Sequence, residues 1–416
     1  MREMKDSGLP YVGIIPKHWE CIRGKYILKY LSKPVKEDDG VITCFRDGQV
    51  TLRSNRREDG FTMADKEIGY QGIDVGDLIV HGMDGFAGAI GISDSRGKAS
   101  PVLNVLETEQ NKRFIMYYLR SMAYGDVFVA MATGIRVRSC DLRWNKLANF
   151  EYLVPPIDEQ KKIAEFLDEK CSEIDTLISD IQTQIEVLEQ YKRSTVIETV
   201  LKGLDSILPV KESNIDWVGE IPKHWNTHPL YYYFGEHKNV NALGNENNLL
   251  SLSYGKVIRK DINTNGGLLP NNFNTYNIIE KDDIVLRLTD LQNDKRSLRT
   301  GIAKERGIIT SAYVTLRAIK PLNTQYFYYL LHAYDLMKVL YNMGSGVRQG
   351  LNYEELSKMM LIEPSLGEQN EIVDFLDKKC NEADACIDSK KEQIATLEAY
   401  KKSIIFEYVT GKKEVM

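Results

Sequence analysis

The sequence predicts an α+β fold that is built twice, with two globular α/β domains separated by two long α-helices that pack as an antiparallel coiled coil of pseudo-twofold symmetry. Three observations predict this class. A nine-residue segment occurs as YVGIIPKHW at 11–19 and again as WVGEIPKHW at 217–225. A second segment occurs as EQKKIAEFLDEKC at 159–171 and as EQNEIVDFLDKKC at 368–380, at almost the same spacing. After each copy of the second segment, apolar residues recur every seven positions, which is typical of helices that pair along a seam.

These repeats divide the 416 residues into four segments. They are a first globular domain at 1–155, a first helix at 156–205, a second globular domain at 206–363 and a second helix at 364–416. Each globular domain mixes short runs of β-branched residues, such as GDLIVHG at 76–82 and DDIVLRL at 282–288, with one helical segment. A repeat of this length is a duplicated domain and not a solenoid unit.

Both long helices carry start and stop signals. A Pro-Pro pair at 155–156 precedes the first helix, and Ser365 with Glu368 forms a capping-box pattern at the second. Gly203 and Gly411 stand where the helices are expected to end, which makes each helix about 68 Å long. The residues expected in the seam are Ile174, Leu177, Ile178, Ile181, Ile185, Leu188, Tyr191, Ala383, Ile387, Ile394, Leu397, Tyr400 and Ile404.

A long amphipathic helix must bury its apolar stripe, and the simplest partner for each helix is its own duplicate. A duplicated chain closes most simply around a pseudo-twofold axis, which makes the two helices antiparallel. The helices then act as a spacer that holds two domains at a fixed separation, as a reader of a two-part linear target requires. Twofold DNA readers place half-sites about 34–36 Å apart, which such a rod spans. A hairpin that only stabilises the chain would explain the stripe but not the fixed separation.

Charge is distributed unevenly along a chain of formal net charge −5. Segment 156–205 holds 6 Lys and Arg against 12 Asp and Glu, and segment 364–416 holds 8 against 11, so the globular domains together are positive. Their Lys and Arg residues fall in clusters with interleaved Gln and Asn, side chains that contact phosphates and base edges. We predict that DNA is contacted by Arg46, Gln49, Arg53, Asn55, Arg56, Arg57, Arg136, Arg138, Lys256, Arg259, Lys260, Arg287, Gln292, Asn293, Lys295, Arg296, Arg299, Arg348 and Gln349.

The chain resembles the DNA-specificity subunits of type I restriction–modification systems. The resemblance is carried by the WVGEIPKHW opening, by PPIDEQKKIAEFLDEKCSEIDTLI and its copy EPSLGEQNEIVDFLDKKCNEADACI, and it covers nearly the whole chain. It implies two target recognition domains, each reading one half of a bipartite, asymmetric site in double-stranded DNA, with the helices setting the gap. It also implies two methyltransferase subunits and restriction–translocation subunits as partners. The segment YGKVIRKDINTNGG, at 254–267, has no obvious counterpart in the first domain, as expected for two different half-sites.

The sequence lacks the motifs of the enzymes that such a subunit would serve. An adenine methyltransferase needs a Gly-rich cofactor loop and an Asn/Asp-Pro-Pro-aromatic motif, and a translocase needs a phosphate-binding G-x-x-x-x-G-K-[ST] loop. The string LDEK at 167–170 resembles a nuclease carboxylate–lysine set, but it lies in the heptad helix, where a solvated face is expected. The six His and six Cys show no zinc spacing. We therefore expect a non-catalytic protein without cofactor or metal.

The remaining features concern location and the alternative function. No apolar run approaches the roughly 18 residues of a membrane span, and cysteines without a Cys-x-x-Cys pair predict reduced thiols in the cytoplasm. The alternative to a DNA reader is a duplicated coiled-coil scaffold that holds two protein partners. Affinity for DNA that falls steeply with salt would distinguish the two.

Overall fold

The computed structural model describes residues 2–56, 68–131, 141–262, 272–291, 298–343 and 350–415. The chain forms two compact units, the first made of Met1–Ile181 with Lys391–Met416 and the second of Gln182–Lys390. Each unit therefore combines one predicted globular domain with part of each predicted long helix.

The first unit holds twelve short strands among its described residues. They are β1 (Met4–Asp6), β2 (Ile14–Pro16), β3 (Glu20–Arg23), β4 (Lys29–Leu31), β5 (Ile42–Cys44), β6 (Val50–Leu52), β7 (Gln71–Ile73), β8 (Leu78–His81), β9 (Ile90–Ile92), β10 (Gly97–Ala99), β11 (Leu103–Glu107) and β12 (Glu151–Val154). The central sheet has the order β4-β11-β8-β9, and antiparallel pairs β1-β2, β3-β12, β5-β6 and β7-β10 surround it. The helices of this domain are α1 (Lys112–Tyr124), α2 (Val127–Ala130) and α3 (Trp144–Asn149).

The second unit repeats this topology strand for strand. Its strands are β13 (Val210–Glu212), β14 (Glu220–Pro222), β15 (Asn226–Pro229), β16 (Phe234–Glu236), β17 (Leu250–Ser253), β18 (Lys256–Arg259), β19 (Asn277–Ile279), β20 (Ile284–Leu286), β21 (Thr300–Ile302), β22 (Gly307–Ile309), β23 (Val314–Ala318) and β24 (Met360–Glu363). The central sheet has the order β16-β23-β20-β21, and the pairs are β13-β14, β15-β24, β17-β18 and β19-β22. The long helix that follows the first domain is α4 (Ile157–Lys202), and the remaining helices are α5 (Thr324–Leu336), α6 (Tyr353–Leu356) and α7 (Leu366–Val409).

The helix boundaries agree with the sequence signals. Ser365 and Glu368 exchange hydrogen bonds between backbone N–H and side chain at 3.1 and 3.3 Å, which is the predicted capping box. Gly203 and Gly411 follow the ends of α4 and α7 with φ of 79° and 68°, a left-handed conformation that glycine adopts without a steric penalty.

Each unit contains one large and one small hydrophobic core. The large core of the first unit joins the opening segment and α1 to both long helices, and it buries Trp19, Tyr118, Leu167 and Ile405 fully. The large core of the second unit does the same with Trp225, Tyr326, Val200 and Leu376. The small cores lie between the central sheets and the hairpins β5-β6 and β17-β18.

The two long helices run antiparallel inside each unit. In the first unit Nζ of Lys401 lies 2.6 Å from Oδ2 of Asp175, and the rings of Phe166 and Tyr408 have centroids 4.4 Å apart. Residue numbers thus fall along α4 as they rise along α7. The second unit shows the same direction. There Nζ of Lys390 donates to Oε1 of Gln184, and Nζ of Lys192 donates to Oδ1 of Asp384, each at 2.5 Å. The predicted α+β class with antiparallel long helices is confirmed.

Most of the predicted seam is buried or half-buried, but three residues were placed wrongly. Leu177, Tyr191 and Tyr400 have exposed fractions of 50%, 51% and 55%. In a 3-4 heptad spacing the seam position next to each tyrosine belongs to Lys192 and Lys401, whose side chains are only 29% and 18% exposed. Their aliphatic stems fill the seam, and their ammonium groups reach carboxylates of the facing helix.

No helix in the described part of the chain is both long enough and apolar enough to cross a membrane.

Candidate nucleic-acid interface

The repeated opening segment fixes the start of the long helix in the first unit. Nε2 of His18 lies 2.9 Å from Oε2 of Glu159, and the indole N–H of Trp19 donates to the same oxygen at 3.1 Å. The Trp19 ring also covers the end of α7, because a Cβ at Gly411 would lie 3.1 Å from it. The segment is therefore structural, and it joins the globular domain to both helix ends.

The second unit repeats this arrangement. His224 and the indole N–H of Trp225 contact Oε1 of Glu368 at 2.8 and 3.1 Å. Burial disfavours the charge of Glu368, but hydrogen bonds from His224, Trp225 and Ser365 outweigh burial and lower the pKa of this carboxyl group. Two copies of one nine-residue sequence therefore make the same contacts with two copies of one helix start.

The glutamine after each of these glutamates ties a third element to the same point. Gln160 accepts the backbone N–H of Asn111 at 3.0 Å and donates to the carbonyl of Pro155 at 2.8 Å. Gln369 accepts the N–H of Asn323 at 3.0 Å and donates to the equivalent proline carbonyl at 3.0 Å. Asn111 and Asn323 are the N-caps of α1 and α5. The EQ pair thus positions the main helix of each globular domain against the long helix.

Carboxylates at the same spacing in both long helices continue this anchoring about two turns further along. Oδ1 of Asp168 accepts the hydroxyl of Tyr117 at 2.8 Å, and Asp377 accepts that of Tyr329 at 2.6 Å. Asp168 is also paired with Arg113. Asp168 of the LDEK string therefore anchors a domain helix, which corrects the expected solvated face at this residue, whereas Glu169 is exposed. Among the described residues no group of His, Cys, Asp and Glu side chains is arranged to hold a metal ion.

On this platform each globular domain presents one β-hairpin in the same place. The hairpin β5-β6 reaches strand β10 through a parallel bridge between Val41 and Lys98, and β17-β18 reaches β22 through a parallel bridge between Leu249 and Ile308. The segment that begins YGKVIR therefore has a structural counterpart in the first domain, contrary to the expectation from sequence. The counterpart escaped notice because the tips differ in length, FRDGQ at 45–49 against Tyr254 and Gly255.

The tip of the first hairpin is held in one conformation by its neighbours. The guanidinium of Arg120 donates to the carbonyl of Asp47 at 2.6 Å and packs against Gly48, where a Cβ would lie 2.6 Å from its central carbon. Arg56 pairs with the Asp47 carboxylate at 2.6 Å and lies over the Phe45 ring. Arg46 is 63% exposed and pairs with Asp84 at 2.8 Å.

Three further candidates of this hairpin differ in exposure and in their hydrogen bonds. Gln49 is exposed at the tip. The Arg53 side chain is half-buried and lies 3.5 Å from the Thr43 hydroxyl, whereas Asn55 is exposed but its amide donates to Thr51 at 2.9 Å. Arg46 and Gln49 are therefore the candidates best placed to contact a ligand.

The second hairpin carries three exposed cations. Lys256 and Arg259 each have an exposed fraction of 71%, and Lys260 follows at the end of β18. Arg259 is paired with Glu305, whereas Lys256 approaches Asp384 only to 3.8 Å. Lys256, whose partner is this distant, can turn to a phosphate at little cost.

Arg299 is not a surface contact, which corrects its assignment. Its side chain is fully buried and donates to the carbonyls of Arg287, Thr289 and Asp290 at 3.3, 2.7 and 3.0 Å. Arg299 therefore supports the loop after β20 from beneath. Arg287 is half-buried at the base of that loop.

The remaining predicted contacts lie outside the described residues. They are Arg57, Arg136, Arg138, Gln292, Asn293, Lys295, Arg296, Arg348 and Gln349.

A cleft of about 530 Å³ lies beneath the first hairpin, between its tip, α1 and the long helices. Four aspartates line it, Asp47, Asp168, Asp175 and Asp180, against only two basic side chains. Such a lining repels phosphate. The outer face of the hairpin is therefore the side that suits a nucleic acid.

Comparisons with known proteins agree with this architecture. A family described as the type I restriction modification DNA specificity domain matches residues 240–399. The type I restriction enzyme MjaVIII specificity subunit of Methanocaldococcus jannaschii is 25% identical over 96% of this chain and 94% of its own. A second protein of that organism, with a provisional description as the MjaX specificity subunit, is 25% identical over 97% of this chain and 96% of its own.

A solved structure supports the fold. It concerns complex assembly and conformational transition of the type I R-M system, and one of its chains aligns with a TM-score of 0.59, 14% identity and coverage of 96% of this chain and 99% of that one.

Over nearly its whole length the chain is similar to DNA-specificity subunits of type I restriction enzymes. Both named relatives are described as specificity subunits, one of them provisionally.

Sequence reasoning missed the side chains that organise the two units. The EQ pair was noted as a repeat and as a favourable helix start, but its contacts with the opening segment and with α1 or α5 are long-range. The available signal was that His-Trp and Glu-Gln are repeated together in both halves. Lys192 and Lys401 were missed because a seam was expected to be apolar throughout.

Proposed function

We propose that this chain is a type I specificity subunit that recognises a bipartite, asymmetric DNA site, with each globular domain reading one half. The observation that carries the proposal is the pair of equivalent hairpins, which occupy the same place in both domains and differ in sequence. In the first domain Arg46 and Gln49 offer hydrogen-bonding groups at the tip, and in the second Lys256 and Lys260 offer exposed charge. Two different half-sites require two hairpins that are equally placed but carry different side chains.

The long helices would set the distance between the half-sites. Their antiparallel contacts within each unit involve specific polar pairs, such as Lys401 with Asp175 and Lys192 with Asp384. Polar residues in an otherwise apolar seam fix the register of paired helices. A fixed register gives a fixed separation, and hence one preferred number of base pairs between the half-sites.

The proposal includes the partners and location that the family suggests. Two methyltransferase subunits and the restriction–translocation subunits would assemble on the specificity subunit in the cytoplasm. The duplicated contacts of His18 and His224 with the two helix starts support a pair of equivalent docking positions. A scaffold that holds two proteins without DNA is the alternative, and the outward cations of both hairpins favour the DNA reader.

The test is selection of duplexes from a random-sequence pool by the full-length chain at low and moderate salt. We expect enrichment of two short motifs at one spacing, and affinity that falls steeply with salt. Replacement of Arg46 by Ala should weaken binding by about 1–3 kcal/mol and relax only one of the two motifs. Arg23→Ala, an exposed arginine on β3, is the matched control. Binding without any preferred sequence would refute the proposal.

A further inference from the structure

The tip of the second hairpin contains an unfavourable choice of residue. Ser253 pairs with Lys256, which leaves a two-residue turn of Tyr254 and Gly255 with φ of 45° and 78°. Two positive φ angles define the mirror-image turn that joins tight hairpins, and Asn-Gly, Asp-Gly or Gly-Gly is strongly preferred in it. A tyrosine in the left-handed region is strained, because its Cβ crowds the backbone.

Packing does not compensate for this strain. The Tyr254 side chain is 79% exposed, and among the described residues its ring has no hydrogen bond, ring contact or cation partner. A bulky side chain that is strained and unburied contributes nothing to the free energy of folding that asparagine would not supply. Strained conformations of this kind concentrate at binding sites.

The backbone below the ring is held firmly. The hydroxyl of Tyr328 donates to the carbonyl of Gly255 at 3.3 Å, and a Cβ at Gly255 would lie 3.2 Å from Leu298 and 3.3 Å from the His332 ring. Burial lowers the pKa of His332 to about 4, so a neutral ring lies beneath the turn at pH 7. The turn therefore presents Tyr254 outward on a rigid support.

Two lysines lie on the same hairpin as the ring. The cross-strand pairs Ser253 with Lys256 and Ser251 with Ile258 alternate with the inward pair Leu252 and Val257. Lys256, Ile258 and Lys260 thus follow Tyr254 along the exposed face. An aromatic ring with ammonium groups along the same exposed face suits a nucleic acid, because the ring can stack on bases while the cations neutralise phosphates.

We propose that Tyr254 is a DNA-contacting residue that inserts its ring at a base step of the second half-site and stacks on an exposed base. The proposal rests on the proposed function. It makes the two domains read DNA by different chemistry, since the equivalent tip of the first hairpin carries Arg46 and Gln49, which hydrogen-bond to base edges. Insertion of a side chain between base pairs partly unstacks them and selects steps that deform easily.

Replacement of Tyr254 by Asn tests this inference, because binding and folding then change in opposite directions. Asn-Gly suits the turn, so the melting temperature of the variant should equal or exceed that of the wild type. Affinity for the selected duplex should fall about 5- to 100-fold, as expected for the loss of one stacked base. Tyr254→Phe keeps the ring and should bind within about threefold of the wild type. Tyr231→Asn, an exposed tyrosine elsewhere in the domain, is the control.

A fluorescent adenine analogue, 2-aminopurine, placed in turn along the second half-site reports unstacking. Its emission should rise at one position with the wild type and the Phe variant, but not with the Asn variant. Wild-type affinity in the Asn variant would overturn the proposal and leave the proposed function intact. An equal loss in the Phe variant would also overturn it, since the hydroxyl and not the ring would be responsible. Absence of sequence preference in the wild type would instead refute the proposed function.

Discussion

Replacement of Gln369 by Leu should destabilise the second unit while leaving the first nearly unchanged. The Gln369 side chain is buried at the start of α7, where it satisfies the N–H of Asn323 and the carbonyl of Pro364, each at 3.0 Å. Leucine has a similar volume but cannot bond to either group. The substitution therefore leaves two buried backbone groups without a partner and creates no large cavity.

The size of the effect follows from these two groups. A buried donor or acceptor that loses its partner costs about 1–3 kcal/mol, so two cost about 2–6 kcal/mol. The apolar leucine recovers part of this by its own burial. We therefore expect a net loss near 3 kcal/mol, which is a large fraction of the stability of an ordinary domain.

Amide hydrogen exchange with mass spectrometry is the suitable assay, because it locates the loss as well as measuring it. Exchange should speed up in α5 and at the start of α7, whereas α1 and the start of α4 should keep wild-type rates. The matched variant Gln160→Leu should reverse this pattern. Gln190→Leu, at an exposed position of α4, should change stability by less than about 0.5 kcal/mol. Exchange in the Gln369 variant that changes equally in both units, or a loss of stability no larger than that of Gln190→Leu, would refute the reasoning.

Three further predictions concern acid, a buried cation and the spacer. Hydrogen bonds from Arg96 lower the pKa of Asp39 from 3.8 to about 2. The stability from this contact is therefore complete above pH 4 and is lost as the pH falls towards 2. Asp39→Asn should flatten this part of a plot of the free energy of urea unfolding against pH. Arg299→Met should lower the melting temperature of the second unit, because three carbonyl groups lose their hydrogen-bond donor. A variant that melts like the wild type would contradict the structural role of Arg299. The side chains of Gln184 and Lys390 are hydrogen-bonded at 2.5 Å across the paired helices, so seven residues inserted after each keep the heptad pattern and lengthen both helices by about 10.5 Å. Selected duplexes should then gain about three base pairs between the half-sites. An unchanged gap would show that the helices do not set the distance between half-sites.

The sequence by itself determined the duplication, the order of domains and helices and the positions of the helix ends. These features are local or periodic, so they are visible in one dimension. A capping box at Ser365 needs only residues three apart, and a heptad stripe needs only its own repeat. Divergence of the two hairpins was visible as well, although their structural equivalence was not, because a five-residue tip and a two-residue tip share no alignment.

Only the tertiary structure decided which repeated residues act together. The contacts of Trp19 with Glu159 and of Gln160 with Asn111 join residues that are distant in the chain, and no local pattern specifies such a pair. The same holds for Arg299, which resembles a surface cation in sequence but is buried, with carbonyls of the loop after β20 around its guanidinium group. Charge and periodicity can be read from the sequence, whereas the burial and the contacts of a side chain depend on which surfaces meet after folding.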